Sequence, residues 1–292
     1  PPVHRIAFVT SQPTQEIAPD DRLAVAVLQS KGFTVEPAPW EDSSLPWTEY
    51  SAVIIRSPWN YSHHSDAFAD WLRFCQSTGV CLWNPAEVVL GNINKRYLLD
   101  FERNGFPIVP SAYMEAGSKV SLAEILQSKG WEEAVVKPAI SAGAFQTWRT
   151  SIAQAQAHQP RFEDQCQSGE VIIQPFLPEV VNQGELSLIY FNGEFSHCIL
   201  KQPATGDFRV QPQHGGTCRP IDPPPHLIEH GRAILEFVGS PLLYARVDGI
   251  LRDGQFLLME LEINEPNLFM QCSPEAPERF AAAIQSVLRT KC

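Results

Sequence analysis

Two segments near the carboxyl-terminal end place acids, an amide and an arginine at alternating positions. They are Ala245–Ile250, which reads ARVDGI, and Leu258–Asn267, which reads LMELEINEPN. Alternate side chains of a β-strand share a face, so the polar side chains would line one side of two strands while the apolar ones face a core. The residues on the polar side are Arg246, Asp248, Glu260, Glu262 and Asn264.

This acidic face has two interpretations. A buried carboxylate without a partner costs several kcal/mol, so a buried cluster needs a cation. Oxygen ligands without Cys or His suit Mg²⁺ or Mn²⁺, and Mg²⁺ usually binds together with substrate phosphates. The alternative is a hairpin whose acidic face is exposed to solvent, and the residues of the two segments leave both interpretations open.

Three of the few lysines lie where a surface lysine is not expected. Lys137 and Lys201 end apolar strands, and Lys95 opens a predicted helix. The loop Ala139–Phe145 is rich in small residues, so its backbone N–H groups can contact an anion. Together these groups are suited to phosphate oxygens, although each lysine alone could be an ordinary charge at the end of a strand.

The elements that must position these residues fall into three regions. The first alternates strands and helices, which predicts a parallel sheet with ligand-binding loops at its strand ends. The second mixes helix and strand around the loop 139–147, and the third is antiparallel, with a hairpin turn at Asn192-Gly193. The predicted strands are 5–10, 34–36, 52–56, 134–137, 171–174, 185–191, 194–201 and 207–210, and the predicted helices are 20–31, begun by Asp20 or Asp21, 65–78, begun by Ser65, 95–104, 226–238 and about 277–288.

Composition sets the broad class. The chain has 292 residues, a net charge of −11 and seven cysteines without a C-x-x-C pair. The charge argues against nucleic acids and anionic membranes as partners, and no apolar run reaches the roughly 20 residues of a membrane helix. The scattered cysteines predict reduced thiols, and with no apolar leader at the start of the chain we expect a cytoplasmic protein.

The spaced set of lysines, acids and hinge residues resembles the ATP-grasp superfamily. Its parts are Lys95, the segment Val135–Pro138 with its glycine-containing loop, the segment Gln174–Leu177, and the two acidic segments. Neither a G-x-x-x-x-G-K-[ST] loop nor a strand-linked G-x-G-x-x-G occurs. The resemblance implies an α/β fold, α+β overall, with an N-terminal parallel α/β substrate-binding domain at 1–94, a central lid subdomain at 95–178 and a C-terminal mixed antiparallel domain at 179–292.

The resemblance also implies a role for each matching residue. Lys95, Lys137 and Lys201 would contact ATP phosphates, and Gln174, Phe176 and Leu177 would hold adenine. Glu185, or as second choice Glu179, would bind the ribose. Asp248, Glu262 and Asn264 would hold Mg²⁺ or Mn²⁺. Lys201, Arg209 and Arg246 would neutralise the transferring phosphoryl group. The residues expected near the substrate are Arg56, Ser57, Trp59, Asn60, Tyr61, Gly215 and Gly216.

The implied reaction is ATP-dependent amide formation through an acyl phosphate, from small carboxylate and amine substrates. The segments 56–61, 184–190, 196–201 and 206–211 are similar to a compact, glutathione-synthetase-like branch that includes the D-cycloserine synthetases, which close a ring within one molecule. Intermolecular amino-acid or dipeptide ligation and a binding-only regulatory role are alternatives. A nucleotide-independent metallohydrolase built on the acidic strands is a further rival. Separately, His226–His230 matches H-x-x-E-H, a zinc-peptidase pattern, but histidines four positions apart at the start of a helix more often form a solvated face.

Overall fold

The N-terminal third forms a four-stranded parallel sheet in the computed structural model, which describes residues 4–12 and 14–289. Its order is β2-β1-β3-β4, and its central strands read as continuous apolar runs because helices cover both faces. The strands are β1 Arg5–Thr10, β2 Thr34–Pro39, β3 Ala52–Ile55 and β4 Leu82–Trp83, and the helices are α1 Pro19–Ser30, α2 Ser65–Thr78 and α3 Ala86–Asn92.

The start of α1 differs from the sequence prediction. Its N-cap is Ala18, with Pro19 in the first turn and no capping side chain. Asp20 instead accepts the backbone N–H groups of Met270 and Gln271 at 3.0 Å each, and Asp21 is buried. The prediction that Asp20 or Asp21 caps the helix is therefore wrong, because long-range contacts use both carboxylates.

The middle of the chain forms a four-stranded antiparallel sheet with the order β5-β8-β6-β7. Two helices, α5 and α6, pack on it around a core of its own. The preceding helix, α4, begins at Tyr97 rather than at Lys95 and packs against the C-terminal core. The elements are α4 Tyr97–Arg103, β5 Ala112–Met114, α5 Leu122–Lys129, β6 Glu133–Pro138, β7 Trp148–Ser151, α6 Ala155–Ser168 and β8 Val171–Pro175.

The last third is a five-stranded antiparallel sheet with the order β11-β10-β9-β12-β13. Asn192 and Gly193 both have positive φ, 50° and 77°, as a tight hairpin turn requires, so the predicted hairpin is confirmed. The predicted strand 207–210 is wrong: this stretch is irregular, and the edge strand is β11. The elements are α7 Pro178–Asn182, β9 Glu185–Phe191, β10 Glu194–Gln202, β11 Thr217–Ile221, α8 Pro225–Val238, β12 Tyr244–Arg252, β13 Gln255–Glu262 and α9 Ala276–Arg289.

The three sheets lie within the three predicted segments, but packing crosses the boundaries between them. The final helix, α9, shares a core with α1 and the N-terminal sheet. No helix within the described residues is both long and apolar enough to cross a bilayer. Cysteines 75, 166, 198, 218 and 272 are free thiols, whereas Cys81 is disulfide-bonded, so the prediction of reduced thiols is wrong at Cys81.

Candidate active site

A cavity of about 640 Å³ is lined by residues of the central and C-terminal sheets. One end of its wall is apolar, and the other carries five cationic and five acidic side chains. For a chain whose net charge is −11, this local balance of charge is a property of the site rather than of the surface. The charged side chains are Lys95, Lys137, Lys201, Arg209, Arg246, Glu185, Asp248, Glu260, Glu262 and Glu265.

The register of β12 and β13 brings the predicted polar face together. Arg246 pairs with Glu262 and Asp248 with Glu260 across the two strands. The alternate residues Val247 and Leu261 lie in the core on the other side. The alternation predicted from the sequence is thus confirmed, and the acidic face lines a cavity rather than solvent.

Two cations neutralise Asp248 within the protein. Arg246 Nη2 lies 2.8 Å from Asp248 Oδ2 and 2.6 Å from Glu262 Oε1. Lys201 Nζ lies 3.1 Å from Asp248 Oδ2 and 2.5 Å from Glu185 Oε1. The Ser187 hydroxyl also donates to Asp248. This network joins three acids and two cations through direct contacts.

Burial and charge shift the acids in opposite directions. Burial opposes ionisation of Asp248, but Arg246 and Lys201 outweigh it and hold its pKa below the usual value. Burial dominates at Glu262, where it raises the pKa to about 8 although Arg246 opposes the shift. Burial also raises the pKa values of Glu185 and Glu265. Neighbouring carboxylates with divergent pKa values are typical of functional sites.

Lys95 and Lys137 also line the cavity, with different contacts. Lys95 Nζ lies 3.0 Å from Glu260 Oε1 and donates to Ser141 O at 2.8 Å, so it joins β13 to the glycine-containing loop. Lys137 is half-buried, and burial lowers its pKa. Among the described residues the Lys137 ammonium group forms no ion pair or hydrogen bond, which leaves its charge available to an anion in the cavity.

Of the three predicted metal ligands, Asn264 has a free oxygen that suits a hard divalent cation, whereas Asp248 and Glu262 already form ion pairs. Asn264 Oδ1 is buried and has no hydrogen-bond partner, as expected of an oxygen that awaits a ligand. Asp248 and Glu262 are paired with Arg246, so a metal would replace some of these contacts. Within residues 4–12 and 14–289, no three His, Cys, Asp or Glu side chains could hold a metal together.

The apolar end contains the predicted adenine hinge. Gln174, Phe176 and Leu177 all line the cavity, and Phe176 packs edge-on against Phe208 with ring centroids 6.3 Å apart. The Phe176 N–H donates to Glu133 O at 2.9 Å. The backbone N–H of Leu177, by contrast, has no hydrogen-bond partner among the described residues.

Several predicted residues lie outside the cavity wall. Glu179 forms a bidentate pair with Arg252 at 2.7 and 3.0 Å, so Glu185 is the acid of this pair of candidates that faces the cavity. Arg56 is 2% exposed, and it donates to Asp21 at 3.0 Å and to Pro266 O at 2.7 Å.

The rest of the predicted substrate loop is divided. Trp59 and Tyr61 line the cavity, whereas Ser57 is buried and Asn60 bonds Trp40 and Glu41. The structure therefore brings only Trp59 and Tyr61 of this loop to the site.

Gly215 and Gly216 support the cavity wall without lining it. A Cβ on Gly216 would lie 2.1 Å from Val210 O, and Val210 is itself a lining residue. Arg209 lines the cavity, but its guanidinium binds Asp207, with Nη2 2.8 Å from Oδ2. A second cavity of about 390 Å³ adjoins this region and shares Trp59 and Asn267 with the first.

The polar lining residues that were not assigned a role from the sequence include Glu260, Glu265 and Asn267. All three belong to the acidic segment, and Glu260 was already placed on its polar face. What the sequence did not reveal is that Glu260 pairs with Lys95, 165 positions away by their numbers. The zinc-peptidase alternative gains no support, because His230 packs against Phe106 and Phe256.

Comparison with known proteins finds similarity to D-cycloserine synthetases. A family model of the N-terminal domain of D-cycloserine synthetase DcsG matches residues 6–84. The cycloserine biosynthesis protein DcsG of Streptomyces lavendulae is 29% identical, over 97% of this chain and 99% of that protein. The crystal structure of D-cycloserine synthetase DcsG superposes with a TM-score of 0.85 and 27% identity, over 97% of this chain and 99% of the other. The chain has the fold of the ATP-grasp ligases and is similar to D-cycloserine synthetase DcsG along nearly its whole length.

More distant structures share its fold. A D-alanine–D-alanine ligase from Bacillus anthracis has a TM-score of 0.72 at 13% identity, over 99% of this chain and 97% of the other. The ATP-grasp ligase PsnB, solved with a minimal precursor, has a TM-score of 0.65 at 15% identity, over 96% and 98%. The predicted fold class and the resemblance are confirmed, and the chain is an ATP-dependent carbon–nitrogen ligase. The ligases that share its fold use ATP and a divalent metal.

Proposed function

We propose that this ligase activates the carboxylate of a small amino-acid-like substrate and closes a ring onto an amine nitrogen of the same molecule. The observation that carries the proposal is the single cavity that joins an apolar slot at Gln174–Leu177 to a cluster of cations and acids around Asp248. Such a cavity accommodates a nucleotide base at one end and transferring phosphate at the other. Ring closure is supported by similarity to a protein of cycloserine biosynthesis.

The chemistry requires two bond-forming steps. A carboxylate oxygen attacks the γ-phosphorus of ATP, and ADP leaves. The amine nitrogen then attacks the acyl carbon, phosphate leaves, and the amine loses one proton. A bound Mg²⁺ would neutralise phosphate charge and orient the oxygens. Asp248, Glu262 and Asn264 would hold it, and the unpartnered Asn264 Oδ1 supports this set.

The residues of this chain contribute charge and position. Lys137 has no partner to release, so it contacts phosphate at no cost in lost ion pairs. Lys201 and Arg246 are already fixed by Glu185, Asp248 and Glu262, and fixed charges stabilise a transition state without reorganisation. Trp59 and Tyr61 form the wall next to the substrate. Use of ATP also favours the cytoplasmic location predicted from the sequence.

The test is Mg²⁺-dependent ADP release with D- and L-amino acids, O-substituted serines and dipeptides, each alone and with a second amine. We expect one carboxylate substrate to release ADP without any added amine and to give a cyclic product by mass spectrometry. Glu262→Gln should abolish turnover, while Glu229→Gln, an exposed acid paired with Arg232, should not. A strict requirement for a second amine would instead support the intermolecular alternative.

A further inference from the structure

A buried glutamine amide lies at the point where a base edge would meet the protein. Gln174 is 3% exposed and lines the cavity next to the hinge residues Phe176 and Leu177. It belongs to β8, whose neighbours are β5 and β6. The register Ala112↔Ile173 places Ser111 beside Gln174 on one side, and Val135 pairs with it on the other.

The hydrogen bonds around Ser111 fix the orientation of that amide. The Ser111 hydroxyl donates its proton to Val109 O at 2.8 Å. A hydroxyl has one proton to give, so towards Gln174 the Ser111 oxygen can only accept. Gln174 Nε2 donates to it at 3.0 Å. The amide nitrogen is therefore directed at Ser111, and Gln174 Oε1 makes no hydrogen bond with any described residue.

We infer that Ser111 is a positioning residue for nucleotide selectivity: it holds Gln174 with its carbonyl oxygen towards the base, so the site accepts a 6-aminopurine and disfavours a 6-oxopurine. This inference rests on the proposed function, because it assumes that the base lies at the hinge. Adenine offers an N–H donor at position 6, whereas hypoxanthine and guanine offer an oxygen there, which would face Gln174 Oε1.

Rotating the amide to suit a 6-oxo group breaks this arrangement. Gln174 Oε1 would then face the Ser111 oxygen, and two acceptors would oppose each other. The Ser111 hydroxyl could donate to Gln174 Oε1 only if it gave up its hydrogen bond to Val109 O. Val109 is 1% exposed, so its carbonyl oxygen would then lack a partner. An unsatisfied buried acceptor is costly, so the relay from Val109 through Ser111 favours one orientation of the amide.

The test measures binding of three nucleotides in the presence of Mg²⁺: ATP, inosine triphosphate, and purine riboside triphosphate, which has no group at position 6. The variants are Ser111→Ala, which removes the relay, and Ser111→Thr, which keeps the hydroxyl. In Ser111→Ala we expect the ratio of ATP to inosine triphosphate affinity to fall about five-fold, equivalent to about 1 kcal/mol. Affinity for purine riboside triphosphate should stay unchanged.

A second pair of variants isolates the amide. A carboxylate can only accept, so in Gln174→Glu the addition of Ser111→Ala should leave the affinity ratio unchanged. The inference is overturned if Ser111→Ala changes all three affinities equally, or if Ser111→Thr behaves like Ser111→Ala. If the unmodified chain binds none of the three nucleotides, the proposed function fails and the inference fails with it. If the unmodified chain binds ATP but Ser111→Ala leaves the ratio of ATP to inosine triphosphate affinity unchanged, the inference is refuted and the proposed function is not.

Discussion

Replacing Arg56 with leucine removes the cation from a buried ion pair. The replacement tests whether Arg56 stabilises the fold or binds the substrate, as the sequence had predicted. Arg56 and Asp21 have side chains only 2% and 3% exposed, with Arg56 Nε 3.0 Å from Asp21 Oδ1. Arg56 also donates to Pro266 O at 2.7 Å and lies 4.8 Å from the centre of the Tyr244 ring. The residue thus joins α1, the end of β3 and the segment after β13.

The expected loss of stability follows from these contacts. Breaking a buried pair leaves an uncompensated charge, which costs about 3–5 kcal/mol. At roughly 2–4 °C per kcal/mol for large domains, the thermal midpoint should fall by about 10 °C. The matched control is Arg73→Leu, whose pair with Asp70 is 63% and 76% exposed, and it should cost under about 1 kcal/mol.

The pH dependence tests the cause. Burial already raises the pKa of Asp21 although Arg56 opposes the shift, so in Arg56→Leu the folded-state pKa rises further above the unfolded value. A raised folded-state pKa contributes stability below the unfolded pKa, and this contribution is lost as pH rises through the folded pKa. The variant should therefore be less destabilised near about pH 5 than near about pH 8.

The assay is thermal unfolding of the two variants and of Asp21→Asn/Arg56→Leu, with ADP release measured at low temperature. The double variant lacks the buried charge and should recover at least about 1 kcal/mol relative to the sum of the single changes. An Arg56→Leu protein of unaltered thermal midpoint but greatly raised KM for the carboxylate substrate would refute this reasoning and favour direct contact with substrate.

Three further changes probe the cavity. Lys137→Met should lower kcat/KM for ATP about 100-fold or more without lowering the thermal midpoint, since the substitution breaks no ion pair in the described structure. The control is Lys119→Met at an exposed position, and an equal loss of kcat/KM in both variants would contradict a phosphate contact by Lys137. Glu185→Gln should impair ATP turnover in steady-state assays, whereas Glu179→Gln should lose only its contact with Arg252 and leave the KM for ATP unchanged; the reverse order would make Glu179 the ribose ligand. Gly216→Ala should destabilise the chain by about 1–3 kcal/mol because its Cβ would meet Val210 O at 2.1 Å, while Gly91→Ala has open space and should leave the melting curve unchanged; a neutral Gly216→Ala would show that the 211–214 turn moves freely.

Local patterns were sufficient for much of the fold and for the charged part of the site. The polar face of β12 and β13 follows from the two-residue period of a strand, which is fixed by backbone geometry. The hairpin β9–β10 follows from Asn192-Gly193, because both residues tolerate positive φ. Lys137 and Lys201 could be singled out because each ends an apolar strand.

Other local readings were insufficient. Asp20 and Asp21 stand at the start of a helix, where carboxylates often cap, yet both serve contacts with distant residues. The stretch 207–210 has strand-forming residues, but β11 takes the edge position beside β10.

The sequence by itself therefore determined which residues carry charge towards a common face, because side-chain direction within a strand is a local property. Only the tertiary structure decided which charges meet: Lys95 with Glu260, Arg56 with Asp21, and Ser111 with Gln174. These partners are far apart in the chain, and their pairing depends on sheet register and on packing between layers. Local propensity does not determine which distant residues come into contact. Only the folded structure therefore distinguishes residues that line the binding cavity from residues that stabilise the fold.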